Sequence, residues 1–130
     1  MSGRGRVKGE FPACARRSPA DVSGMLIAWT TVAERADADR LAADAIARNL
    51  ALCVQIDGPI TSHYRWQGRD RCDQEFRLAF KCLESHARAL EEQVLAQHPY
   101  AVPEWVVVRA EHVGEKYLSW AKANSSTPPL

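Results

Sequence analysis

The stretch from Leu52 to Cys82, LCVQIDGPITSHYRWQGRDRCDQEFRLAFKC, decides the fold. Leu52, Val54 and Ile56 alternate with Cys53, Gln55 and Asp57, the period of two of a half-buried strand, whose successive side chains leave on opposite faces. Gly58-Pro59 interrupts the run. Proline lacks the N–H that a strand ladder needs, so a bend or bulge is expected there before Ile60 to Trp66 resume an extended pattern. Gln67-Gly68-Arg69-Asp70 supplies the glycine of a tight turn, and Phe76, Leu78, Phe80 and Cys82 alternate with Glu75, Arg77, Ala79 and Lys81 on the return. A long antiparallel hairpin follows.

Upstream, Met25 to Thr31 is an apolar run too short for a typical helix and fits a strand buried on both faces. Ala38, Leu41, Ala42, Ala45, Ile46 and Leu50 then recur at three- and four-residue steps, with Asp37, Asp39, Arg40, Asp44 and Arg48 between them, the pattern of an amphipathic helix. Downstream, Ser85 is the expected N-cap of a second helix with Ala87, Leu90, Val94 and Leu95 as its apolar stripe, ending before Pro99. Trp105 to Val108 read as another buried strand, and Gly114 introduces a short terminal helix carrying Tyr117, Leu118, Trp120 and Ala121. Strand, helix, strand, strand, helix, strand is the split βαβ order, which predicts an α+β, ferredoxin-like βαβ-βαβ sandwich with a short C-terminal helix. Two helices cover one sheet face. The other face is left open in a monomer, with Trp29, Tyr64, Trp66 and Trp105 on or beside the strands, and association would cover it.

At 130 residues, 46% of them hydrophobic, the chain holds one domain with its own core. That domain is expected over residues 25–123, preceded by a disordered basic arm at 1–24 and followed by a flexible tail at 124–130. The abrupt start of patterning at Met25 marks that methionine as a candidate second or true start. Charge is nearly balanced, 17 Lys and Arg against 16 Asp and Glu, so no sequence-wide field gathers nucleic acid. Apolar runs stay well short of the roughly 18 residues of a membrane span. Cys14, Cys53, Cys72 and Cys82 show neither a Cys-x-x-Cys pair nor zinc-ribbon spacing, which fits a reducing cytoplasm, and Cys53 and Cys82 are assigned to packing.

No glycine-rich phosphate loop, Gly-x-Ser-x-Gly elbow or His-Glu-x-x-His helix occurs, and an RNP-type glycine-aromatic run is absent, so neither an enzyme nor an RNA binder is expected. The most distinctive stretch is His98-Pro99-Tyr100-Ala101-Val102-Pro103-Glu104, whose two prolines stiffen the connection into a strand. His98 and Glu104 are either an imidazole and a carboxylate for copper or zinc, or groups that hold the loop by hydrogen bonds. His63, His86 and His112 stand in unrelated contexts, so any cluster would have to be assembled by folding or by subunit contact. Pairing of Arg65 or Lys81 with Glu75 is expected as a cross-strand salt bridge or as part of an anion site.

Four segments in order, Leu50-Ala51-Leu52-Cys53-Val54-Gln55, Thr61-Ser62-His63-Tyr64-Arg65-Trp66-Gln67-Gly68 with Glu75 and Lys81, His98 to Glu104, and Tyr117-Leu118-Ser119-Trp120, resemble the CutA family of divalent-cation tolerance proteins. The resemblance spans residues 25 to 121. It implies a ferredoxin-like subunit assembled as a homotrimer, architecturally similar to PII signalling proteins, with Tyr64, Trp66 and Trp120 as interface or core anchors. It also implies a divalent metal as partner, copper in some members, through the histidine of the His-Pro-Tyr motif, a neighbouring histidine and a first-strand cysteine. Here His98 matches, whereas Gln97 and Trp29 stand at the other two positions. Losing a thiolate and an imidazole removes the ligands that favour copper. The segment from Thr30 to Asp39 departs from the family's turn as well. The expectation is a homotrimeric cytoplasmic divalent-cation tolerance protein with His98 and Glu104 as candidate ligands, the alternative a PII-like trimer that binds a small ligand or partner at subunit clefts.

Overall fold

A computed structural model describes residues 23–125. Its elements are β1 (Met25–Val32), α1 (Arg35–Ala47), β2 (Cys53–Trp66), β3 (Arg69–Leu83), a 3-10 turn (Glu84–His86), α2 (Ala87–Gln97), β4 (Val106–Arg109) and α3 (Glu115–Asn124). The expected βαβ-βαβ order holds, as an α+β fold with a four-stranded antiparallel sheet in the order β2-β3-β1-β4. Residues 1–22 of the expected arm and 126–130 of the expected tail fall outside the described residues, and Asn124, placed in that tail, ends α3. Ser23, assigned to that arm, is instead buried, its Oγ donating to Ala110 O at 2.6 Å and accepting from Met25 N at 3.1 Å.

Register explains the core. On the antiparallel pairing of β1 with β3, Leu26 lies opposite Cys82, Ala28 opposite Phe80, Thr30 opposite Leu78 and Val32 opposite Phe76. Val54 and Ile56 of β2 fall beside Phe80 and Leu78. The helices pack Ala38, Leu41 and Ala45 from α1 and Leu90 and Val94 from α2 against this face. Phe80, Leu41, Leu78 and Leu90 are fully buried, and each such side chain contributes about 1.5–3 kcal/mol. The stripe on α1 is narrower than the periodicity predicts, because Ile46 is 46% exposed.

The hairpin forms around Gln67 and Gly68, both with positive φ (51° and 77°), which joins Trp66 to Arg69 by a two-residue turn whose twist suits antiparallel strands. The Gly58-Pro59 interruption is a bulge between Asp57 and Ile60. β1 reaches no farther than Phe76 of β3, so among the described residues Ile60–Trp66 and Arg69–Glu75 pair only with each other, as a two-stranded arm.

Two expectations need correction. Ser85 does not cap α2: it sits inside the 3-10 turn, and the N-cap position is His86. β4 is not buried. Among the described residues it is an edge strand paired with β1 alone, and Val106, Val107 and Val108 are 49%, 42% and 41% exposed. The connection after β1 is short: Ala33 and Glu34 alone separate it from α1, with Glu34 in extended conformation at the N-cap.

Candidate functional site

The segment from His98 to Glu104 runs from the end of α2 to the edge strand, and it meets β1 at Thr30. Thr30 Oγ1 donates to the carbonyl oxygen of Glu104 at 2.7 Å and lies 2.9 Å from His98 Nε2. The Tyr100 backbone N–H donates to His98 Nδ1 at 3.1 Å, which leaves the ring proton on Nε2, facing the carbonyl of Thr31 at 3.0 Å. Burial pushes the imidazole below its ordinary range, opposed by the Thr31 carbonyl and by the Asp37 and Glu75 carboxylates, with Arg40 adding to the depression. His98 is therefore a neutral ring of fixed tautomer.

A copper or zinc ion needs a free nitrogen lone pair. The Nδ1 lone pair of His98 is taken by Tyr100 and its Nε2 carries a proton, while Glu104 meets the junction through its backbone carbonyl and leaves its side chain exposed. Among the described residues no three His, Cys, Asp or Glu side chains stand together as a metal cluster. His98 and Glu104 thus share a hydrogen-bonded junction, and within one chain they do not fit a ready metal site.

The junction extends to β3. The Tyr100 hydroxyl donates to Glu75 Oε2 at 2.8 Å, and its ring lies 5.0 Å from that of His98. Burial, with the Glu75 carboxylate, pushes the Tyr100 phenol above its usual range. The expected partners of Glu75 are otherwise engaged: Arg65 pairs with Asp70 at 2.9 Å, and Lys81 stands 5.7 Å over the Tyr117 ring. The Trp105 ring packs against that of Phe80 at a tilt of 49°, and its indole Nε1–H is buried with no hydrogen-bond partner among the described residues.

Tyr64, Trp66 and Trp120 lie outside the chain's own core, 42%, 44% and 44% exposed. Tyr64 donates its hydroxyl to Asp73 on the arm, and Trp120 stacks with Tyr117 at 5.4 Å. The histidines fall into distinct settings: His86 is buried with Nδ1 2.9 Å from Ser85 Oγ, His112 is exposed, and His63 faces Cys72 across the arm at 3.8 Å. The last pair was hidden in the sequence by nine positions of separation. Counting outward from the Gln67-Gly68 turn reveals it, because His63 and Cys72 are equally distant from the turn.

Residues 26–124 match the family model described as CutA1 divalent ion tolerance protein. The divalent-cation tolerance protein CutA of Escherichia coli (strain K12 / DH10B) is 34% identical over 99 residues, covering 76% of this chain and 88% of that protein. The divalent cation tolerance protein CutA1 of Thermus thermophilus is 36% identical with a TM-score of 0.74, over 78% of this chain and 98% of its own. The periplasmic divalent cation tolerance protein CutA of Archaeoglobus fulgidus is 25% identical with a TM-score of 0.74, over 78% and 98% of the two chains.

Proposed function

The chain belongs to the CutA1 divalent ion tolerance family, and from that premise we propose that it serves divalent-cation tolerance as a non-catalytic homotrimer of the cytoplasm. The match across residues 26–124 carries this reading. The open surfaces of the described residues support assembly: among them both sheet edges, β2 and β4, lack a second neighbour, the valines of β4 are exposed, and the arm holds out Tyr64 and Trp66. Exposed apolar edge strands invite pairing with another chain, and a closed trimer removes that liability. Among the described residues no helix is long and apolar enough to cross a membrane.

Copper or zinc at His98 and Glu104 is the metal arm of this reading. It requires His98 to give up Tyr100 N–H or the Nε2 proton, and the Glu104 side chain to turn toward it. Native mass spectrometry of metal-stripped protein, with and without copper and zinc, tests both parts. A trimer supports the assembly, and metal uptake that falls in His98→Ala would place the metal at this junction. A monomer overturns the assembly, and uptake indifferent to His98→Ala removes the metal from this junction.

The engaged ring nitrogens of His98 and the unpartnered Trp105 N–H favour a second reading, a PII-like trimer binding a small hydrogen-bond acceptor or a partner at subunit clefts. That reading expects metal-independent binding that survives His98→Ala.

A further inference from the structure

On the two-stranded arm, His63 and Cys72 are direct cross-strand partners, with Cys72 Sγ 3.8 Å from His63 Nε2. Both side chains are exposed and Cys72 is a free thiol. The register is pinned by the two-residue turn at Gln67 and Gly68, so strand pairing holds the two groups side by side. We propose that His63 and Cys72 form a two-residue site for a thiophilic divalent cation of the zinc type, completed by water.

The spacing fits the chemistry. Zinc–sulfur bonds of about 2.3 Å and zinc–nitrogen bonds of about 2.0 Å, meeting at a tetrahedral angle, set sulfur and nitrogen roughly 3.5 Å apart. The observed 3.8 Å lies within a small side-chain adjustment of that bite. A thiolate with an imidazole selects soft and borderline metals over magnesium or calcium, which prefer oxygen. Binding replaces the Cys72 thiol proton, which is released to solvent, so affinity rises with pH. The next cross-strand pair on this side of the arm, Arg65 and Asp70, is already joined at 2.9 Å and presents no unbalanced positive charge. In contrast to His98, this imidazole gives up only a weak contact to a sulfur when it takes a metal.

The inference deepens the divalent-cation reading by moving the metal to the arm, and its test separates the two positions. The full chain, reduced and metal-stripped, is titrated with cobalt(II) alone as a spectroscopic stand-in for zinc. Wild type and His98→Ala are expected to develop thiolate-to-cobalt charge-transfer absorption that zinc then abolishes. Cys72→Ser is expected to lose that absorption, and His63→Ala to raise the half-saturating cobalt concentration at least about tenfold. Circular dichroism of both variants should match wild type, since both positions are exposed. Absorption that persists in Cys72→Ser, never develops in wild type, or is unchanged in His63→Ala overturns the arm site. Cobalt d–d absorption without the thiolate band, lost in His98→Ala and retained in Cys72→Ser, would place the metal at the His98 junction instead and overturn the arm site.

Discussion

Tyr100 donates its hydroxyl to Glu75 Oε2 at 2.8 Å, which fastens the proline-stiffened connection before β4 to the strand at the opposite side of β1. The bond joins parts of the chain 25 positions apart, and it ends on a charged acceptor. Tyr100→Phe keeps the ring beside His98 and deletes the bond alone. The expected loss is about 1–2 kcal/mol in urea unfolding, the usual worth of a hydrogen bond to a charged group with partial hydration left to the carboxylate. An unchanged midpoint would mean that water replaces the phenol at no cost.

His98 makes acid a selective stress. Its folded-state pKa is depressed from the ordinary 6.5, so below that value the unfolded chain binds more protons than the folded one. Stability from this group is complete above 6.5 and is lost progressively as pH falls toward the folded-state value. His98→Gln, which carries no titrating ring, is expected to flatten the pH dependence of unfolding below 6.5, read as a smaller slope of midpoint against pH. Asp37, Glu75 and Arg40, the charged groups that bear on the ring, stay in place in that variant.

Gly58 turns the bulge at the base of the arm. It sits at φ +146°, and an added Cβ would stand 2.9 Å from the Glu75 carbonyl oxygen and 2.9 Å from the Phe76 ring. The first contact is with backbone and cannot swing away. Gly58→Ala is expected to lower stability by about 1–3 kcal/mol, the range for backbone held in a sparsely populated region, as measured by the thermal unfolding midpoint. Gly68→Ala meets nothing within 4 Å, so its cost should come from positive φ alone and be the smaller of the two.

These positions also separate what the sequence made legible from what it hid. Strand alternation placed Leu78, Phe80 and Cys82 in the core, and the glycine after Gln67 placed the turn, because both are local signals. Three consecutive valines in β4 read as burial on both faces, yet the strand lies at the sheet edge. An apolar run reports that a surface needs covering without saying which chain covers it. The state of His98 was hidden for another reason: it is set by Thr30 and Thr31, 68 and 67 positions away, which only the fold brings near. Gln97 and Trp29 were readable directly as departures from the ligand pattern that the resemblance implies, because they need only the sequence.

The exposed edge offers a way to test assembly without damaging the subunit. Val108 lies opposite Ile27 of β1, and it is 41% exposed in the single chain. Val108→Lys should therefore change the intrinsic subunit stability by only about 0.5 kcal/mol, as surface substitutions do. If three chains close over this edge, the ammonium is carried into an apolar contact, where an unpaired charge costs far more than it does in water. Native mass spectrometry is then expected to show dissociation at protein concentrations where wild type is trimeric. Because association stabilises only the folded state, the wild-type melting midpoint should rise with protein concentration and that of Val108→Lys should not. A variant that stays trimeric with a wild-type midpoint would remove β4 from the interface and leave the arm, through Tyr64 and Trp66, as the surface that joins the chains.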